Sequence, residues 1–145
     1  MKYKLTYSTT LQAAHRLPMV PEKHPCRRLH GHTYHVDIAI TGPLGADGFV
    51  IDYYAIEATW KGIHESLDHQ YLNERFNNPT TEILAGYILH EMEFRLPAVV
   101  GVHVVSIRIS ENDQHCCTVL AEISDLRAEP EKTHWTAAEL AAEAK

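Results

Sequence analysis

Three histidines and a cysteine stand close together near the amino terminus, and the spacing of the histidines suits either a metal site or strand histidines satisfied by hydrogen bonds. His30 and His32 are separated only by Gly31. In a β-strand side chains alternate with period 2, so both imidazoles project from one face and can share a cation. His15, in Ala13-Ala14-His15-Arg16-Leu17, offers a third nitrogen from a neighbouring segment. Three protein ligands with one open position is the arrangement of a catalytic zinc; four protein ligands make a structural one. Cys26 lies four residues before His30, flanked by Lys23, Arg27 and Arg28. Positive neighbours and a metal favour the thiolate. Two readings of Cys26 follow from spacing: a base or nucleophile beside the metal, or a fourth ligand closing a structural site.

Two further places carry titratable groups in suggestive positions. Asp68-His69 ends a helical pattern, where a carboxylate can fix the tautomer of an imidazole; the alternative is a helix-terminal histidine favoured by the dipole. Glu111 has the parity of Ile107 and Ile109. On that side a carboxylate needs a partner, and a ring edge with paired N–H donors would supply one. Alternatively the strand ends at Ser110 and Glu111 sits in water.

The elements that must position these groups are legible from pattern. Residues 2–16 read as a strand, and the loop 17–28 holds Pro18, Pro21, Pro25 and Cys26. His30 to Thr41 is a second strand, with His30 and His32 in the parity of Tyr34, Val36, Ile38 and Ile40. Asp52 is an N-cap candidate. Ile56, Trp60, Ile63 and Leu67 form the amphipathic stripe of a helix that stops near Asp68. A second helix follows Asn78-Pro79-Thr80-Thr81, buries Leu84, Ile88 and Met92, and ends before Pro97. From Gly101 the period returns to 2, with Val105, Ile107, Ile109 and Glu111 on one side. A last strand spans about 114–123. The expected fold is α+β: a four-stranded antiparallel sheet with two helices on one face. Its uncovered face and edges point to an oligomer.

Composition bounds the rest. A chain of 145 residues with 45% hydrophobic and 22% charged residues fits one domain. We place it at residues 1–125. The tail 126–145, with a capping-box pattern at Thr136 to Glu139, is expected to be helical or disordered and carries no assigned chemistry. The formal net charge of −6 argues against a nucleic-acid footprint. Cys26, Cys116 and Cys117 are an odd set with an adjacent pair, a poor disulfide plan that suits a reducing compartment. Met1 to Thr6 holds no apolar signal core, and no run approaches ~18 apolar residues. A soluble, cytoplasmic protein without a membrane partner is expected.

Together, Ala13-Ala14-His15-Arg16-Leu17, Cys26-x-x-x-His30-Gly31-His32, Leu67-Asp68-His69-Gln-Tyr-Leu-Asn73, Asn78-Pro-Thr-Thr-Glu82 and Ser110-Glu111 resemble the 6-pyruvoyl-tetrahydropterin synthase superfamily. The three residues between Cys26 and His30, and the Leu-Pro-x-Val-Pro-Glu loop before Cys26, resemble its 6-carboxytetrahydropterin-forming branch. The resemblance implies conversion of 7,8-dihydroneopterin triphosphate to 6-carboxy-5,6,7,8-tetrahydropterin, acetaldehyde and triphosphate, on the route to queuosine. It implies Zn2+ on His15, His30 and His32, a catalytic Cys26, and an Asp68–His69 proton relay. It places Glu111 at the pterin; Thr80 and Thr81 are further candidate substrate contacts, and Arg27 either adds a phosphate contact or is solvated. It also implies the tunnelling fold (T-fold), with sheets of several subunits closing an oligomeric barrel, usually a homo-hexamer built as a dimer of trimers with active sites between subunits. The rival readings are 6-pyruvoyl-tetrahydropterin synthase, an aldolase-like lyase acting on a dihydropterin, and a non-catalytic zinc-binding oligomer. Two departures from the family pattern are Leu11, where phenylalanine is frequent, and Arg27, where glycine is frequent.

Overall fold

A computed structural model describes residues 1–122. Strand β1 (Tyr3–His15) pairs antiparallel with β2 (His30–Gly42), and β2 pairs antiparallel with β4 (His103–Ser110). The hairpin partner of β4 is β5 (Cys116–Leu120). Helix α1 (Tyr53–Leu67) and helix α2 (Thr81–Arg95) fall between β2 and β4 in the chain.

The helices begin where capping side chains exist to satisfy their free N–H groups. The Asp52 carboxylate accepts from Tyr54 N–H at 2.9 Å, and the Thr80 hydroxyl accepts from Ile83 N–H at 3.3 Å. The α1 stripe Ile56, Trp60, Ile63 and Leu67 is buried, as are Leu84, Ile88 and Met92 of α2. They share one core with Leu11, Tyr34, Val36, Ile38, Ile40, Val104, Ile107 and Ile109 from the sheet. Both helices therefore cover one sheet face. Burying each large aliphatic side chain contributes about 1.5–3 kcal/mol. On the opposite face, Asp37 accepts from the Ser8 hydroxyl at 2.7 Å and faces Arg108 at 3.4 Å.

Two expectations need correction. The sheet has five strands in the order β3-β1-β2-β4-β5 and is mixed, not four-stranded and antiparallel. The added strand β3 (Gln70–Tyr71) runs parallel to β1, pairing Gln70 with Ala13 and Tyr71 with Ala14. Two residues are too few to show a period. The parity expected for Val105 is also wrong. The register steps from Ala39–Ser106 to Ile40–Val104, so Val105 is the extra residue of a bulge. The bulge turns Val104, fully buried, towards the core. Glu111 keeps its expected side because it lies beyond the bulge. The expected domain boundary at 125 and the tail from 126 lie outside the described residues.

Candidate metal centre and its surroundings

His15 is the last residue of β1 and pairs directly with His30; Ala13, two residues earlier, pairs with His32. All three histidines thus face the same way at one end of the sheet. Gly31 lies between them in a tight place: a Cβ there would stand 3.2 Å from the Ala13 carbonyl oxygen, so that neighbour would have to give by a few tenths of an ångström. The ring centroids are 4.5 Å (His15–His30), 5.2 Å (His15–His32) and 5.0 Å (His30–His32) apart. One nitrogen from each ring falls within 4.8 Å of the others, and this trio could hold a metal ion.

The outer hydrogen bonds say which nitrogens face inward. His15 Nδ1 lies 2.8 Å from the Pro79 carbonyl, and His30 Nδ1 lies 2.7 Å from the Arg28 carbonyl. A carbonyl only accepts, so in each ring Nδ1 carries the proton and Nε2 keeps its lone pair. Those two Nε2 atoms are 3.0 Å apart. In that tautomer the two Nε2 lone pairs point to one place, where a single cation could bind both. Nitrogens bound tetrahedrally at about 2.0 Å stand roughly 3.3 Å apart, so the observed spacing suits a shared metal. Carbonyl-anchored N–H groups are also the usual outer support of histidine ligands.

Burial reinforces the neutral form. Desolvation is the largest influence on His15 and lowers its pKa, against the opposing Pro79 hydrogen bond; His30 and His32 lower it further. Desolvation likewise lowers His32, partly offset by Glu111. Tyr34 forms the floor, its hydroxyl 3.3 Å from His15 Nδ1. Burial first, and Glu111 second, push its phenol far up, so it stays protonated.

The other expected residues divide into near and far. Glu111, one residue past β4, brings Oε2 to 3.8 Å from His32 Nε2, with its side chain 30% exposed. That is a charge contact rather than a hydrogen bond, and it leaves the carboxylate able to accept from a ligand. Cys26 sits in a 3-10 turn (Pro25–Arg27), a free and partly exposed thiol. Its N–H donates to His24 Nδ1 at 3.1 Å and its carbonyl accepts from Leu17 N–H at 2.8 Å. Among the described residues the group that could hold a metal ion comprises the three histidines without Cys26.

Asp68 and His69 lie at the other edge of β1, against Gln12. Asp68 Oδ1 accepts from Gln12 N–H at 2.7 Å, and Oδ2 takes His69 Nδ1 at 2.6 Å. The Gln12 hydrogen bond, above all, holds the Asp68 carboxyl below its ordinary range; His69 and His64 act the same way. His69 has φ 56°, unique among non-glycine residues of the described chain, and its N–H donates to Gln12 O at 2.5 Å. Such a backbone is uncommon outside glycine and tends to mark functional sites. It turns the imidazole outward, 74% exposed, with Nδ1 locked and Nε2 presented to whatever approaches. Three remaining candidates have local tasks. Thr80 caps α2, Thr81 donates to Glu82 at 3.3 Å, and Arg27 Nη1 donates to the carbonyls of Pro18 (2.9 Å) and Val20 (2.8 Å).

Tyr34 and Pro79 were not singled out by sequence as parts of this site. Tyr34 could have been, since it shares the parity of His30 and His32. The Pro79 carbonyl carries no sequence signal.

The family model for 6-pyruvoyl tetrahydropterin synthase matches residues 4–122. The chain belongs to this family. A protein of Archaeoglobus fulgidus, provisionally named a 6-carboxy-5,6,7,8-tetrahydropterin synthase, is 30% identical over 106 residues, covering 73% of this chain and 85% of its own. A dihydroneopterin monophosphate aldolase of Pyrococcus furiosus is 30% identical over 107 residues, covering 74% of this chain and 90% of its own. The 6-carboxy-5,6,7,8-tetrahydropterin synthase of Bacillus subtilis is 31% identical over 100 residues, covering 63% of this chain and 66% of its own. In fold, the chain is similar to the 6-pyruvoyl tetrahydropterin synthase of Caenorhabditis elegans, with a TM-score of 0.75 at 17% identity over 84% of this chain and 97% of that one. The α+β class and T-fold expected from sequence are borne out by this likeness, apart from the strand count. Among the described residues, no helix is long and apolar enough to cross a membrane.

Proposed function

We propose that this protein is a zinc-dependent carbon–carbon lyase that converts 7,8-dihydroneopterin triphosphate and water to 6-carboxy-5,6,7,8-tetrahydropterin, acetaldehyde and triphosphate, a step towards queuosine. The observation that carries the reading is the convergence of His15, His30 and His32, with Cys26 outside the ligand group and the Glu111 carboxylate beside it. Three inward nitrogens without a thiolate favour an open, catalytic metal over a closed structural one. The bound ion supplies Lewis acidity towards the hydroxyls of the substrate side chain.

The chain's own residues do the rest. Glu111 accepts hydrogen bonds from the pterin amino group and ring N–H, a charge-assisted pair that fixes register. Cys26, as thiolate, removes protons from the side chain. His69, with Nδ1 held by Asp68, returns a proton from Nε2. The exposed imidazole of the Asp68–His69 pair serves the pocket of an adjoining subunit in this reading. That agrees with a homo-hexamer, a dimer of trimers closing the T-fold barrel. Lys23, Arg16, Arg28 and the remaining guanidinium nitrogens of Arg27 are the cations available for triphosphate, with Thr80 and Thr81 as neutral contacts.

A second reading has specific support. The likeness to the Pyrococcus furiosus aldolase is within one percentage point in identity (30% against 31%) and wider in coverage than that to the Bacillus subtilis synthase. The site would then cleave a phosphorylated dihydroneopterin side chain by an aldol reaction. Mass spectrometry of products from 7,8-dihydroneopterin triphosphate, its monophosphate and the unphosphorylated compound separates these readings. 6-Carboxytetrahydropterin with acetaldehyde from the triphosphate supports the first. A 6-hydroxymethyl pterin from the monophosphate would move the assignment to the aldolase, and 6-pyruvoyl-tetrahydropterin to the sister synthase.

A further inference from the structure

Asn73 lies in the Leu67–Asn73 motif, and neither the metal centre nor the proposed chemistry assigns it a task. It follows β3, whose pairing places Gln70 beside Ala13 and Tyr71 beside Ala14. Continued by two residues, that parallel register would set Asn73 beside Arg16. The chain does not continue as a strand, because residues Leu72–Glu74 turn into a 3-10 helix with Leu72 buried in the core. The Asn73 side chain takes over instead. Its Oδ1 accepts from Arg16 N–H at 2.8 Å, and its Nδ2 donates to Arg16 C=O at 2.9 Å. One amide thus satisfies both backbone groups of Arg16, as a neighbouring strand would.

Arg16 is the hinge between two parts of the site. Immediately before it stands His15, whose Nδ1 is fixed by Pro79 in the same 73–80 segment. Immediately after it stands Leu17, whose N–H binds the carbonyl of Cys26 at 2.8 Å. Met19 N–H is held by Asn78 Oδ1 at 3.4 Å. Two paths join the histidine trio to the thiol: the chain from Cys26 to His30, with the Arg28 carbonyl on His30 Nδ1, and the run His15, Arg16, Leu17, Cys26, in which Asn73 holds the link outside both the β1–β2 ladder and the Leu17–Cys26 bond.

We infer that Asn73 is a positioning residue that sets the placement of Cys26 relative to the histidine trio by clamping the Arg16 backbone. This rests on the proposed role of Cys26. Without the clamp the Cys26 loop swings at Arg16 while the histidines stay in the sheet. Metal binding is then kept, and the alignment of thiolate and substrate is lost.

The test uses the full-length, zinc-loaded protein with Asn73→Ala, which removes both bonds, and Asn73→Asp, which keeps the acceptor for Arg16 N–H but sets a carboxylate against the Arg16 carbonyl. Expected for both is zinc content as in wild type, kcat lower by about tenfold or more, and KM within about twofold. Alkylation of Cys26 by iodoacetamide, followed by peptide mapping, should quicken by about threefold as the loop loosens. A purely structural role would lower Tm but leave kcat and Cys26 alkylation of the folded variants at wild-type values, and that result overturns the inference. If neither variant folds, hydrogen exchange of the wild-type Arg16 amide decides: protection of about a hundredfold or more supports the clamp, and exchange at the unstructured rate refutes it. If the wild type turns over no pterin, the lyase reading fails by itself, while alkylation and exchange still judge the clamp.

Discussion

His15 and His30 hold their Nε2 atoms 3.0 Å apart while their Nδ1 atoms are committed to the carbonyls of Pro79 and Arg28. This one relationship orients both rings with Nε2 inward, within reach of one cation. It predicts that His30→Ala or His32→Ala lowers zinc affinity by more than about a hundredfold, beyond the usual loss from an outer partner alone. Competition with a chromophoric chelator measures it; stoichiometric zinc in either variant would remove these residues from the ligand set.

Cys26→Ala should keep one zinc per chain and lower kcat by about 100-fold to 10,000-fold, the span of general acid–base catalysis. Parallel metal analysis and steady-state kinetics check this. Loss of zinc together with activity would instead make Cys26 the fourth ligand.

Much of the arrangement is legible in the sequence because it follows from short-range rules. The parity of His30 and His32 with Tyr34 to Ile40, the Asp52 cap, and the Ile56 to Leu67 stripe each encode local geometry, and the fold keeps them. What escaped depends on partners remote in sequence. Strand β3 exists because Gln70 and Tyr71 meet Ala13 and Ala14, and Val104 replaces Val105 in the core because of a register step against Ala39 and Ile40. The Pro79 carbonyl and the Asn73 amide act through a tertiary contact that no periodicity announces.

Glu111→Gln keeps the shape of the side chain and removes the charge that would strengthen hydrogen bonds from a pterin. KM should rise about tenfold or more with kcat changed far less. Isothermal titration with a pterin product gives the same answer without turnover. Unchanged affinity would mean that the carboxylate near His32 serves the metal centre alone.

Asp68 links stability to pH with a definite sign. The Gln12 N–H and then His69 hold its carboxyl below the ordinary value, so its ionised form favours the folded state. That contribution is fully present above the unfolded pKa of about 3.9 and is lost as pH falls through the lower folded value. The Tm gap between wild type and Asp68→Asn should therefore close as pH falls below about 5. A gap that persists unchanged through this range contradicts the assignment of the shift to Asp68.

The most direct test of the account is turnover of 7,8-dihydroneopterin triphosphate as zinc is titrated into chelator-stripped protein. The account predicts no 6-carboxytetrahydropterin from the stripped protein, with turnover rising linearly to a plateau at one zinc per chain. Full turnover by the stripped protein would contradict the central claim that His15, His30 and His32 form the working metal centre.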